Sequence, residues 1–177
     1  MKIIVVFNSK TGFTEKYAQW IAAELSCPAL PYSDLTPAVI DQYDVIIFGS
    51  RTFAGKIEHF NKIKYILRNK TNIDLIVFAT GATPSVAEDA VLKIWSDNLP
   101  GSEMESIPHF YMQGGLAYEK MKSLDRTLMK MAAKIMTGKG DKTGEQADAG
   151  YSLMDSHDIS SKEFIAPLVD YMKTRYM

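Results

Sequence analysis

MKIIVVFNSKTGFT, residues 1–14, decides the fold. Ile3 to Phe7 is an unbroken apolar run, the pattern of a strand buried on both faces. A polar loop follows at once, Asn8-Ser9-Lys10-Thr11-Gly12-Phe13-Thr14. The next segment, EKYAQWIAAEL, places Tyr17, Ile21, Ala22 and Leu25 at helical spacing. Strand, hydroxyl-rich loop and helix in this order make a phosphate cradle. The loop amides and the helix amino end supply donors and a partial positive charge. Ser9, Thr11 and Thr14 add hydroxyls, and Gly12 lets the backbone turn without a Cβ in the way. The loop is neither G-x-G-x-x-G nor G-x-x-x-x-G-K-[ST]. On the residues alone, a Ser/Thr-rich turn capping an ordinary helix is the plainer alternative.

Two more segments share this plan. Tyr43-Asp44-Val45-Ile46-Ile47-Phe48-Gly49-Ser50 reads as a buried strand ending in a small-residue loop, Arg51-Thr52-Phe53-Ala54-Gly55. Ile73 to Ala79 reads as another, running into Thr80-Gly81-Ala82. In open parallel sheets such loops gather at the carboxyl ends of the strands, where ligands bind. GSRTFAGKI, residues 49–57, is a near miss to a nucleotide-binding loop. It has five residues between its glycines, and Ile57 where that motif needs Ser or Thr for magnesium.

Five strands are expected: Ile3–Phe7, a short one near Ala29–Tyr32, Val45–Phe48, Leu75–Ala79 and His109–Gln113. Helical patterns lie between them at Thr14–Leu25, Pro37–Asp41, His59–Arg68 and Ser85–Asn98, and a last helix begins near Ser161. Strands alternating with helices predict an α/β fold, a doubly wound five-stranded parallel sheet with helices on both faces. Right-handed crossovers make 2-1-3-4-5 the natural strand order. No repeat or linker divides the chain, so 1–177 is read as a single domain.

Ser9-x-Thr11-Gly12-x-Thr14 after a first strand resembles the FMN-phosphate loop of flavodoxins. The resemblance implies FMN as cofactor. It implies Ser9, Lys10, Thr11, Gly12, Phe13 and Thr14 at the phosphate. Ser50, Arg51, Thr52, Phe53 and Gly55 then face the isoalloxazine ring, with Thr80, Gly81 and Ala82 at its edge. The C-terminal third is similar to the menaquinone-dependent protoporphyrinogen dehydrogenase branch of that superfamily. The similarity runs through Gly114-Gly115-Leu116-Ala117-Tyr118, the Met- and Lys-rich stretch 121–131, and Met136-Thr137-Gly138-Lys139-Gly140-Asp141. Phe53 stands where the better-known enzymes of that branch carry a basic residue. This resemblance implies a role in heme biosynthesis: protoporphyrinogen oxidation with electrons passed to a quinone.

Composition bounds the alternatives. The chain has 177 residues, 46% hydrophobic and 23% charged, ordinary values for a globular protein. The net charge of −1 provides no field for nucleic acid. Shuttle flavodoxins are strongly acidic around the flavin, whereas this chain is near neutral, which points toward an enzyme. A non-enzymatic electron carrier docking on a redox protein is the alternative, and a flavin-free binding module is a third. The lone Cys27, together with the lack of a signal segment, leads us to expect a reducing, cytoplasmic setting. His59, His109 and His157 lack metal-ligand spacing, so no metal is expected. No catalytic acid, base or triad is discernible.

Residues 119–142 depart from the minimal five-strand plan. Seven basic residues against three acidic ones leave this segment at +4 and the rest of the chain at −5. Met121, Leu124, Leu128, Met131, Ala132 and Ile135 fall on one helical face. A basic amphipathic helix over 118–136 suits the inner face of a membrane, a quinone or porphyrin pocket, or a redox partner protein. Packing on its own sheet with a solvated basic face is the equal alternative. The stretch 138–150, GKGDKTGEQADAG, has the composition of a mobile loop.

Overall fold

In the computed structural model, residues 1–121, 123, 127, 131 and 156–177 are described. Two compact units divide the chain, Met1–Gly114 with Ser160–Met177, and Gly115–Ile159.

The first unit is built on a parallel sheet. Its strands are β1 (Ile3–Asn8), β2 (Ala29–Pro31), β3 (Val45–Phe53), β5 (Asp74–Gly81) and β6 (His109–Gln113), in the order β2-β1-β3-β5-β6. Counted along the chain as the five expected strands, this is the predicted 2-1-3-4-5 order, and the fold is flavodoxin-like. The registers Ile3↔Val45, Val45↔Asp74 and Val77↔His109 align the strands so that their carboxyl ends lie along one edge.

The apolar run of β1 is explained by two cores. Ile3, Val5 and Phe7 join α1 (Phe13–Glu24) and the last helix, α6 (Ala166–Tyr176), through Tyr17, Ile21, Leu168 and Met172. Ile4 and Val6 point to the other face. They pack in a cluster with Phe60 and Ile63 of α3 (Phe60–Leu67), Trp95 of α4 (Glu88–Asn98), and Ile40 of the short α2 (Pro37–Ile40). Val5, Val6, Val45 and Ile46 have no exposed surface. Fully burying one such side chain is worth about 1.5–3 kcal/mol.

The structure corrects several boundaries. The predicted loop over Arg51–Gly55 is largely strand: β3 runs through Phe53 and folds back as a hairpin onto β4 (Lys56–Ile57). Only Ala54 and Gly55 make the turn, with φ of 49° and 76°. The helix expected from Ser85 starts at Glu88, because Gln113 Oε1 accepts from both the backbone N–H and the hydroxyl of Ser85. β2 ends at Pro31, which has no N–H to continue the ladder, and Tyr32–Asp34 forms a 3₁₀ turn. After α4 comes a short helix, α5 (Glu103–Ser106). The chain nearing its end passes through a 3₁₀ turn at Lys162–Ile165, capped by the Ser161 hydroxyl, before α6 begins.

In the second unit, β7 (Gly115–Leu116) pairs antiparallel with β8 (His157–Asp158). A 3₁₀ turn spans Tyr118–Lys120, and the Ser156 hydroxyl donates to Glu119 at 2.7 Å. Ser123, Thr127 and Met131 are helical and exposed, and the Thr127 hydroxyl donates to the Ser123 carbonyl. Met131 was expected on the apolar face of the basic helix; it is 56% exposed. The rest of that helix, and the loop at 138–150, lie outside the described residues.

Candidate phosphate loop and the strand ends beside it

The loop between β1 and α1 is shaped by Gly12, whose φ of 96° a side chain rarely adopts. Its N–H donates to the Ser9 hydroxyl at 3.1 Å, closing a tight turn immediately before the helix. The first intrahelical bond runs from Lys16 N–H to the Gly12 carbonyl. No side chain among the described residues caps α1. The amides of its first turn therefore keep their donor capacity, and the helix dipole adds partial positive charge. Thr11 and Phe13 are half-buried at this mouth.

Thr14 is placed differently. It is 2% exposed, and its hydroxyl lies 2.7 Å from that of Thr80, equally buried at the end of β5. One hydroxyl donates to the other, so the pair retains one further hydrogen to give. Thr80, expected at the ring edge, thus turns its side chain toward α1. Ser50 is wholly buried, and its hydroxyl accepts from Asn8 Nδ2 at 3.1 Å.

The sequence did not single out Glu58, which follows β4. Its carboxylate accepts from Arg51 Nε and Nη2, each at 3.0 Å, from Lys10 Nζ at 2.9 Å, and from Asn8 Nδ2 at 3.3 Å. Lys10 and Arg51, expected on the cofactor, both donate to this one carboxylate. Burial pushes the Glu58 carboxyl up, but the hydrogen bonds and charges of Arg51 and Lys10 outweigh it and hold it at about 2. Arg51 also lies over the Phe53 ring, 4.8 Å from its centre. The next residue, His59, adopts φ of 60° and stacks on Tyr32 at 4.7 Å. Burial, then the charge of Lys62, lowers its pKa.

The hairpin is fastened from behind by Asn98, at the end of α4. Its side chain accepts from Ile57 N–H at 3.0 Å and donates to the Gly55 carbonyl at 2.8 Å and the Ile94 carbonyl at 2.7 Å. Thr52 donates its hydroxyl to the Thr80 carbonyl, joining the hairpin to the end of β5. Gly81 and Ala82 are half-buried beside it. The loop beyond is tied to β6 by Tyr111, whose hydroxyl donates to the Thr83 carbonyl at 3.0 Å. The loops after β1, β3 and β5 therefore meet at one end of three adjacent strands. Among the described residues, no group of His, Cys, Asp and Glu could hold a metal ion, and no helix is long and apolar enough to cross a membrane. Burial pushes the Cys27 thiol up to about 11, which leaves it a poor nucleophile.

The donors suit a phosphate monoester: neutral hydroxyls, a turn opened by glycine and uncapped amides. Residues 4–143 match the family described as flavodoxin domain, and the chain belongs to that family. FMN is the family's cofactor. An uncharacterized protein of Methanocaldococcus jannaschii is 30% identical over 120 residues, covering 67% of this chain and 79% of the relative. Among solved structures, the chain is similar to a flavodoxin from the domain Archaea, at 15% identity and TM-score 0.42, covering 88% of this chain and all of that one. Flavodoxin 1 of Bacillus cereus matches at 17% identity and TM-score 0.44, with 86% and 97% covered. Rubredoxin oxygen:oxidoreductase of Desulfovibrio gigas matches at 13% identity and TM-score 0.43, with 87% of this chain and 37% of the other covered.

Proposed function

We propose that this chain is an FMN-dependent oxidoreductase that takes electrons from a protoporphyrinogen-type substrate and passes them to a quinone. The observation that carries the cofactor site is the uncapped amino end of α1 behind the Gly12 turn. The amides of Phe13 and Thr14 and the hydroxyls of Ser9 and Thr11 would hold the phosphate. Thr52, Phe53 and Gly55 on the hairpin, with Gly81 and Ala82, would hold the ring. When bound, FMN supplies the redox chemistry, exchanging two electrons and a proton through its N5. The Thr14–Thr80 pair and the Asn98 anchor keep these loops in register, so that the ligand meets a formed site.

The substrate class rests on the similarity of residues 114–141 to the protoporphyrinogen dehydrogenase branch. A near-neutral net charge is the feature that favours an enzyme over an acidic carrier. We further propose that the basic stretch over 118–136 meets the acceptor, either as a lipid-soluble quinone at the inner face of a membrane or on a redox partner protein. The test is anaerobic turnover of the purified protein with protoporphyrinogen and a menaquinone analogue. Turnover requiring both substrates is expected. Reduction in resolved one-electron steps, with no protoporphyrinogen consumed, would assign the chain as a carrier instead.

A further inference from the structure

In the turn that follows β5, backbone acceptors are taken by the protein one after another. The Thr80 carbonyl accepts from the Thr52 hydroxyl at 3.2 Å, and the Gly81 carbonyl from Gly114 N–H at 2.9 Å. The Thr83 carbonyl accepts from the Tyr111 hydroxyl at 3.0 Å, and the Pro84 carbonyl from Ala87 N–H at 3.0 Å. The amide of Ala82 has no acceptor among the described residues. Gly81 admits this convergence: a Cβ there would meet the Thr52 hydroxyl at 2.4 Å and the Tyr111 hydroxyl at 2.7 Å. Tyr111 reaches the turn from β6, and burial pushes its phenol well above the ordinary range, so it stays protonated and donates. Gln113, further along the same strand, does the reverse: its Oε1 takes the donors of Ser85.

A backbone carbonyl beside a flavin ring matters most once the ring is reduced. Two electrons and one proton add a negative charge, which a fixed donor stabilises and a carbonyl oxygen opposes. We propose that Tyr111 is a positioning residue: by holding the Thr83 carbonyl, it keeps a backbone acceptor away from the ring edge and so favours the reduced cofactor. This rests on the proposed placing of the ring at Gly81 and Ala82. Tyr111 acts through the loop, without a contact of its own to the flavin. A strut that only stiffened the loop would serve oxidised and reduced flavin alike, whereas Tyr111 discriminates between them.

The experiment loads the full chain with FMN or with riboflavin, in the parent, Tyr111→Phe and Gln113→Leu. It measures the dissociation constant of the oxidised flavin and the midpoint potential of the bound one. In Tyr111→Phe, reduced flavin should lose about threefold to tenfold more affinity than oxidised flavin, the effect of one acceptor released near a charge. The midpoint potential should therefore fall by about 14–30 mV, since tenfold is about 30 mV for a two-electron couple. FMN and riboflavin should shift alike, because the ring and not the phosphate is sensed. Gln113→Leu loosens the same loop but releases donors, so its potential should not fall. An unchanged or raised potential in Tyr111→Phe overturns the proposal, as does a shift confined to one of the two flavins. An equal fall in Gln113→Leu, the behaviour of loosening alone, also overturns it. Where Tyr111→Phe does not fold, the carbonyl carbon resonance of Thr83 in the FMN-loaded parent decides. It should keep the position of a hydrogen-bonded carbonyl in both redox states, and loss of that position on reduction overturns the proposal. Failure of the underlying flavin site reads differently: the parent would hold neither flavin, and the role of Tyr111 would fall with the site.

Discussion

The hydroxyl oxygens of Thr14 and Thr80 lie 2.7 Å apart in the interior, joining the first turn of α1 to the end of β5 across 66 residues of chain. Each is 2% exposed, so neither can turn to water when the other is removed. Thr14→Val or Thr80→Val alone should lower stability by about 1–3 kcal/mol, the cost of a stranded buried hydroxyl. The double variant should lose less than the sum, because both polar groups leave together. Urea unfolding of the four proteins measures the coupling; strict additivity would mean that the pair contributes no interaction.

Thr11 is half-buried in the loop between β1 and α1, and the proposed phosphate site assigns its hydroxyl a hydrogen bond to the phosphate. A hydrogen bond to a charged group contributes about 1.5–3 kcal/mol. Thr11→Val should therefore weaken FMN by about one to two powers of ten. Riboflavin binding, which lacks the phosphate, should not change. Fluorescence titration with the two flavins separates these outcomes, and equal losses for both would place the phosphate elsewhere.

Local signals were legible in the sequence, and long-range ones were not. Ile3 to Phe7 announced a strand buried on both faces, and the structure splits those residues between two cores. Ser9-x-Thr11-Gly12 announced a turn into a helix, and Gly12 makes it. The hairpin was missed because its turn is Ala54-Gly55, without the Asn-Gly or Asp-Gly pair that marks such turns. Glu58 was missed for another reason. Its partners Lys10 and Asn8 lie 48 and 50 residues away, and a lone glutamate after Ile57 carries no pattern. Asn98 looks like the end of an ordinary helix until the hairpin 41 residues upstream is placed against it.

Asn98 holds the hairpin turn through Ile57 N–H and the Gly55 carbonyl, and is itself 8% exposed. Asn98→Ala strands a buried backbone amide and should destabilise the protein by about 1–3 kcal/mol. The effect should concentrate in the hairpin. Trypsin should cut after Lys56 faster in the variant, and the Ile57 amide should exchange sooner while β1 amides change less. Uniform acceleration across the sheet would mean that Asn98 supports the whole fold.

Ala54 and Gly55 both have positive φ, the backbone of a two-residue hairpin turn. The left-handed region costs a residue with a Cβ about 1 kcal/mol or more. Gly55→Ala should thus destabilise by roughly 1 kcal/mol, and Ala54→Gly should be neutral or stabilising by up to about that amount. Thermal unfolding of both variants checks the pair of opposite signs.

Glu58 gives the protein an acid-side stability term whose direction follows from its partners. Its carboxyl ordinarily titrates near 4.5; burial pushes it up, and Arg51 and Lys10 more than reverse that, holding it at about 2. A folded-state value below the unfolded one means that the unfolded chain takes up the proton first. The stabilisation is therefore fully present above the ordinary glutamate range and is lost as pH falls through it toward about 2. Its size is reduced by solvent, since Lys10 is well exposed. Urea midpoints for the parent and Glu58→Gln should differ most near neutral pH and converge on acidification, because the protonated glutamate resembles glutamine. Midpoint curves that stay parallel from neutral to acid pH would mean that the Lys10–Glu58–Arg51 cluster adds no net stability to the fold.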